Sequence, residues 1–271
     1  MPQQALVTIL IPSYKTPMLT KLCLRLIRKH TDLSKARVVV IDNDSKDESL
    51  AYLRGLAWID LIERPAVSGE TGPAAHSAAL DLGLARTVTP YVLSIHTDTL
   101  VKHPQWLEFL IKEIEKNPRR AGVGSWKLEF KPGFSRFLKS IEFQIQQIWY
   151  RLLGKKEHAL AGVGDNYFYL RSHCALYRTQ LLQDQGLSFS AGGEVAGKVM
   201  HKALLEQGYE MAFLRAEILG HYIEHLNHAT MVLNPEFHEN MQGLEKSIKR
   251  VQKGLQRFHA EAILADDSLD E

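Results

Sequence analysis

The sequence predicts an α/β fold with a mostly parallel central sheet flanked by helices, and three observations predict it. Unbroken apolar, β-branched runs of strand length recur at residues 5–12, 37–42 and 91–96, as strands buried on both faces require. Segments with helical start and stop signals lie between them, so strand and helix alternate and the strands pair in parallel through right-handed crossovers. The 271 residues, 45% apolar and 24% charged, are enough for one such domain with a sizeable core.

Taken in order, the first strand ends at Ser13-Tyr14-Lys15. Thr16 then stands as N-cap and Pro17 at the first helical position of a helix carried by Leu19, Leu22, Leu24, Leu26 and Ile27 to about His30. Strand 37–42 is followed by Ser45-Lys-Asp-Glu48, a capping box opening a helix to about Leu56. A short third strand at 59–63, a Pro/Gly/Ser-rich loop and an Ala/Leu-rich helix at 73–85 come next. Strand 91–96 leads to a helix at 104–117, stopped by Pro118.

Beyond residue 120 the pattern loosens: a strand at 123–130, a long amphipathic helix at 134–153, short helices at 178–185 and 195–207, and a strand at 210–214. In the tail, Met241, Leu244, Ile248, Val251, Leu255 and Phe258 recur at spacings of three and four, a seam for helix-on-helix packing and a candidate oligomer contact. The acidic residues 266–271 are expected to fray.

Net charge is only +2, which argues against a nucleic-acid partner bound through phosphate neutralisation. Cys23 and Cys174 match neither a zinc ribbon nor a redox pair and suit buried positions in a reducing compartment. With no leader-like start and no membrane-length apolar run, a cytoplasmic location is expected. The apolar face of 134–153, followed by Lys155 and Lys156, ordinarily faces a core; its other reading is peripheral contact with the inner face of a membrane. Trp126 and Trp149 read as packing residues, or as stacking surfaces for an acceptor sugar.

In such sheets ligands bind beyond the carboxyl ends of the strands. Pro12-Ser13-Tyr14, Asp42-Asn43-Asp44 and His96-Thr97-Asp98 should therefore converge on one crevice. Neither a Gly-x-Gly-x-x-Gly turn nor a Gly-x-x-x-x-Gly-Lys loop follows the first strand. The crevice is acidic instead, and a divalent cation is what lets carboxylates hold a diphosphate.

The stretches VTILIPSYKTPMLTKLCLRLI, VVVIDNDSKDES and GPAAHSAALDLGLARTVTPYVLSIHTDTLVKHPQWLEFL, in that order, resemble glycosyltransferase family 2, the nucleotide-sugar-dependent enzymes of GT-A fold. The likeness covers residues 7–230. It implies a Rossmann-like nucleotide-sugar-binding half at 1–120, an acceptor and catalytic half at 121–232, and a C-terminal helix with acidic tail at 233–271. It implies that Pro12, Ser13, Tyr14, Asp42 and Asn43 line the nucleoside pocket, Asp42 accepting from the base, and that His76, His96, Thr97 and Asp98 face the donor.

Asp98 falls on the second acid of the family's Asp-x-Asp motif and should touch Mn²⁺ or Mg²⁺, while His96 replaces the first acid. The segment from Leu219 to Thr230 is similar to a late His-x-x-x-x-Ser segment and makes His225 the second metal ligand, with His221 and His228 behind it. Glu194, in Ala191-Gly-Gly-Glu-Val-Ala-Gly197, is the candidate base for inverting transfer to an acceptor hydroxyl. UDP- and dTDP-sugars are the favoured donors with GDP-sugars next, and a glycan or lipid-linked molecule the acceptor.

Each site residue also has a plainer reading: Asp98 and Asp42 as helix caps, His76 and His96 as buried hydrogen-bonded histidines, and Glu194 as a charge at a helix start. Two other functions fit the sequence. One is a nucleotide-sugar-binding protein that has lost transfer. The other is a zinc peptidase using His221-x-x-Glu224-His225, although Gly220 before it and the β-rich Thr230-Met-Val-Leu after it point to a strand or loop rather than the helix that pattern needs.

Overall fold

The computed structural model describes residues 4–128, 167–227, 229–234 and 243–271. Strands β1 (Val7–Ser13), β2 (Ala36–Asp42), β3 (Asp60–Glu63) and β4 (Tyr91–Ile95) are connected by helices α1 (Pro17–His30), α2 (Glu48–Gly55) and α3 (Gly72–Ala85). All four pair in parallel in the order β3-β2-β1-β4. The unbroken apolar runs have the cause inferred from the sequence. Ile9, Ile11, Val38 and Val40 pack with α1 and α2 on one face, while Leu10, Val39 and Ile41 pack with Leu80 and Leu84 of α3 on the other. Alternate residues thus serve opposite layers, and both sets are buried.

Beyond β4 the sheet continues through β7 (Cys174–Arg178), β6 (Arg120–Gly124) and β8 (Glu210–Phe213), giving seven strands in the order β3-β2-β1-β4-β7-β6-β8. β7 runs antiparallel to both its neighbours, while β6 and β8 are parallel. Helix α4 (Trp106–Glu115) precedes β6, and β5 (Thr99–Val101) forms a separate two-stranded antiparallel ladder with β9 (Ile223–His225). Among the described residues the remaining α-helices are α5 (Thr179–Asp184), α6 (Lys198–Glu206), α7 (Ala216–Tyr222), α8 (Ala229–Leu233), α9 (Leu244–Arg257) and α10 (Ala260–Leu264).

Several local expectations are corrected. The strand placed at 123–130 is instead β6, which ends at Gly124. A Cβ on Gly124 would meet the Cys174 carbonyl at 2.5 Å, so this close backbone approach admits only glycine. Strand β7 has no counterpart among the sequence-based elements. The capping box is not used: Asp47 caps α2, accepting from the Ser49 N–H at 2.9 Å, because Ser45 is committed to Asp42. Thr16 precedes α1 without capping it, its hydroxyl lying 3.3 Å from that of Thr20. Helix α6 starts at Lys198, after Gly197 in left-handed conformation (φ 76°). The helix expected at 134–153, with Trp149, Lys155 and Lys156, lies outside the described residues, as do His228 and Met241. Among the described residues no helix is long and apolar enough to cross a membrane.

The C-terminal seam is used within the chain: Val251 is buried in the main core, with Ile248, Leu255 and Phe258 packed against it. Nor does the acidic tail fray. Arg25 of α1 is fully buried, and its guanidinium donates to Asp270 (2.9 and 2.5 Å), Asp267 (2.6 Å) and the carbonyls of Ile263 (3.0 Å) and Leu264 (2.8 Å). Tyr52 adds a hydrogen bond to Asp270 at 2.7 Å. A buried guanidinium without its carboxylates is an uncompensated charge, so the tail is tied down by the residue it neutralises. Replacing Asp267 and Asp270 together by Asn should cost about 3 kcal/mol and lower the melting temperature by roughly 6–12 °C in differential scanning calorimetry; an unchanged melt would mean that the clasp contributes nothing.

Candidate active site

The chain leaves β4 at Ile95, and His96-Thr97-Asp98 lead into β5. The β5–β9 ladder sets Thr99 opposite His225, and the Leu226 N–H donates to the Asp98 carbonyl at 2.9 Å. Main-chain pairing thus brings a carboxylate and an imidazole distant in sequence to one point. Asp98 is 3% exposed. Its Oδ2 accepts from the Ala229 N–H at 3.1 Å, and its Oδ1 lies 3.1 Å from His225 Nε2 and 3.8 Å from His96 Nδ1. The cap reading holds only in this sense: Asp98 serves the start of α8, not the helix that follows it in sequence.

Despite that 3.1 Å approach, Asp98 Oδ1 and both ring nitrogens of His225 are buried without an aligned hydrogen bond. Burying such groups unpaired is costly. A cation shared between such atoms would satisfy them. Those of His96, Asp98 and His225 all lie within 4.8 Å of one another, so these residues fit a divalent metal.

A second layer surrounds them. Ser172 Oγ lies 2.9 Å from His96 Nε2 and 3.1 Å from His76 Nε2. His173 stacks on His225, ring centroids 4.6 Å apart and planes 10° apart, with its Nε2 2.9 Å from Ser125 Oγ and its carbonyl accepting from Thr99 at 2.8 Å. Burial pushes His96 and His173 well below the ordinary imidazole range, neighbouring imidazoles adding to it, and lowers His76 to about 4 against the opposing field of Asp98. Burial by itself would raise the Asp98 carboxyl; His225, then His96 and the Ala229 N–H, outweigh it and hold the group well below the usual carboxylate range.

Sequence reasoning did not foresee Ser125, Ser172 or His173. The signal was β7: because it runs antiparallel to β4, pairing Cys174 with Ile95, the residues just before it must lie at the carboxyl end of β4, beside His96. An Arg-Ser-His triplet opening a short apolar run was there to be placed.

On the nucleoside side, Ser13 stands opposite Asp42 in register, and the Asn43 N–H donates to the Ser13 carbonyl at 2.9 Å. Asp42 is 1% exposed, and both its oxygens accept from Ser45, from the hydroxyl at 2.5 Å and the N–H at 3.0 Å. Asn43 accepts from Arg64 at 3.3 Å, and Arg64 is paired with Glu70 at 2.6 Å. Pro12, Ser13 and Thr97 are buried, whereas Tyr14 is half-buried with the Lys15 ammonium 5.0 Å from its ring centre. Only β1 separates β2 from β4, so the two acidic loops lie two strand spacings, about 10 Å, apart. Lys15, Asp44, Lys46 and Asn227, in the loops around this end of the sheet, take left-handed backbone that non-glycine residues rarely adopt.

Glu194 is exposed and paired with Lys198 at 3.0 Å. Its neighbour Val195 lines a cavity of about 430 Å³ together with Trp126, Tyr169, Arg171, His173, Lys198 and His225. Arg171 lies over the rings of both Trp126 and Tyr169, 5.1 and 5.5 Å from their centres. The peptidase pattern is broken: α7 ends at Tyr222 and β9 begins at Ile223, so His221 and His225 share no helical face. His221 meets His103 and Tyr222, far from the carboxylate that faces His225.

Solved structures of similar architecture share the GT-A fold. The mannosyltransferase PcManGT from Pyrobaculum calidifontis, in complex with GDP-Man and Mn²⁺, is similar at 19% identity and TM-score 0.53 over 77% of this chain and 54% of that one. S. aureus TarS 1–349 is similar at 16% and 0.50, over 77% and 58%. Glucosyl-3-phosphoglycerate synthase from Mycobacterium tuberculosis, in complex with Mn²⁺, UDP and glucosyl-3-phosphoglycerate, is similar at 17% and 0.50, over 93% and 80%. The chain spans little more than half the length of the first two. Among curated proteins none matches by sequence. This is a GT-A type fold, with a seven-stranded, mostly parallel sheet flanked by helices. Residues 8–186 match the family model of Glycosyl transferase family 2, and the chain belongs to that family.

The buried imidazoles make stability pH-dependent. Unfolded histidine takes up a proton near pH 6.5, whereas burial delays His76 and His201 to about 4. Below pH 6.5 the unfolded state therefore binds more protons, and stability present above that pH is lost as pH falls towards 4. Metal-free protein should melt progressively lower from pH 6.5 to 4 in calorimetry, and His201→Gln should flatten that slope; a melt independent of pH over this window would contradict it.

Proposed function

We propose that the protein is a metal-dependent glycosyltransferase that moves a sugar from a nucleoside-diphosphate sugar to an acceptor hydroxyl with inversion. The observation that carries this is the buried, unaligned Asp98 Oδ1 facing His225 and His96 at the carboxyl edge of the sheet. A divalent cation bound by Asp98 and His225, Mn²⁺ or Mg²⁺, would neutralise the diphosphate as the bond to the sugar breaks. Mn²⁺ in two similar structures of GT-A fold supports this.

Residues 1–120 form the donor half in this reading, with Pro12, Ser13, Tyr14, Asp42 and Asn43 at the nucleoside and His76, His96 and Thr97 towards the phosphates. Asp42 accepts one hydrogen bond from Ser45 at each oxygen and keeps lone pairs with which to accept from the base. Residues 121–232 form the acceptor half, where the cavity beside His225 supplies aromatic and cationic surface, and 233–271 close the core. Glu194, at the edge of that cavity, takes the acceptor's proton as its oxygen attacks the anomeric carbon, and the ion pair with Lys198 orients the carboxylate. GDP-Man and UDP in the similar structures keep GDP-sugars beside UDP- and dTDP-sugars as donors. Free, buried Cys23 and Cys174 suit a cytoplasmic setting. The same Lys198–Glu194 pair also favours a second reading, donor binding without transfer, because it occupies the proposed base.

With UDP-, dTDP- and GDP-sugars offered in turn, nucleoside diphosphate release should require Mn²⁺ or Mg²⁺ and fall at least about 100-fold in Asp98→Ala. Glu194→Gln should lower turnover by roughly 100-fold or more while donor affinity, measured by calorimetric titration, stays unchanged. A donor that binds tightly and is never consumed would establish the binding protein instead.

A further inference from the structure

We infer that His96 is itself a metal ligand, through Nδ1, and that Ser172 and His76 position it, so that the site selects a first-row transition dication such as Mn²⁺ or Co²⁺ over Mg²⁺. This rests on the metal-dependent reading above and goes beyond it by assigning the third ligand, its orientation and the metal class.

The hydrogen-bond directions carry the argument. Ser172 Oγ lies between two imidazole nitrogens, 2.9 Å from His96 Nε2 and 3.1 Å from His76 Nε2. A hydroxyl has one proton and two lone pairs, so at most one of the two imidazoles accepts from Ser172 and at least one donates to it. If His96 accepted, its proton would sit on Nδ1, 3.8 Å from Asp98 Oδ1, too far for a hydrogen bond, and the buried carboxylate oxygen would stay unpaired. If His96 donates from Nε2, Ser172 is free to donate onward to His76, and Nδ1 carries a lone pair facing the carboxylate. That lone pair and Asp98 Oδ1 are both electron-rich, and a cation between them satisfies both. The tautomer that ligates is thus the one the hydrogen bonds fix, in the way outer partners commonly orient ligating histidines.

The donor set is then two imidazole nitrogens and one carboxylate oxygen. Mg²⁺ is hard, prefers oxygen in a near-ideal octahedron and sheds water reluctantly, whereas imidazole suits the later first-row ions. His96 therefore decides selectivity.

Mn²⁺ and Co²⁺ binding to the whole protein, with and without UDP or GDP, is measured by the loss of the free Mn²⁺ electron paramagnetic resonance signal and by Co²⁺ visible absorption, with Mg²⁺ as competitor. Wild type should bind Co²⁺ more tightly than Mn²⁺, and Mg²⁺ on the order of 100-fold more weakly than Mn²⁺. His96→Asp should weaken Co²⁺ and Mn²⁺ and bring Mg²⁺ to within roughly tenfold of Mn²⁺. Ser172→Ala should weaken Mn²⁺ about tenfold, and Ser172→Thr, which keeps the hydroxyl, should restore it. Pulsed resonance on ¹⁵N-histidine protein should show two coupled imidazole nitrogens on Mn²⁺ in wild type and one in His96→Asp, a signature that a purely structural histidine would not produce. A single coupled nitrogen in wild type, or an unchanged Mn²⁺/Mg²⁺ preference in His96→Asp, overturns the inference while leaving metal-dependent transfer standing. Absence of any metal binding with either nucleotide overturns both.

Discussion

One oxygen of one carboxylate organises the functional end of this molecule. Asp98 Oδ2 is satisfied by the Ala229 N–H, but Oδ1 is buried against His225 and His96 without an aligned partner. Stripping such a group of water costs several kcal/mol unless charge or hydrogen bonds replace the lost hydration. What surrounds it follows from that demand: a ladder that fixes two of the groups by backbone, imidazoles kept neutral by burial, and serines that orient them.

The regular part of the fold was open to reading from sequence because its causes are local. Residues such as Ile9 and Leu10 both had to be apolar because adjacent strand positions face different helical layers, and Pro17 marked the start of α1 through its fixed φ. Elements whose causes are distant were not legible. Strand β7 is five residues long with no turn signal at its edges, and it is a strand because two partners far away in the chain hold it. The acidic tail looked like a solvated end because nothing near it in sequence shows that Arg25, some 240 positions earlier, is buried beneath it.

The site divided along the same line. Asp98 and His225 could be named from their place in the order of motifs, and the structure puts them 3.1 Å apart. Asp42 was found at its strand end, yet its two hydrogen bonds from Ser45 were concealed because the same serine resembled a helix cap. Ser172 and His173 escaped because they precede the unforeseen strand. Family membership describes the frame these residues occupy; it does not by itself describe the serine and the second imidazole that stand behind His96.

The β5–β9 ladder has a consequence for assembly as well as for geometry. It joins Asp98 to His225 across 127 intervening steps of chain (225 − 98). Bringing such ends together costs on the order of 4 kcal/mol of chain entropy. An ion gripped from both sides would act as a reversible cross-link across that span, so loading the site and completing the tertiary structure would be two views of one equilibrium.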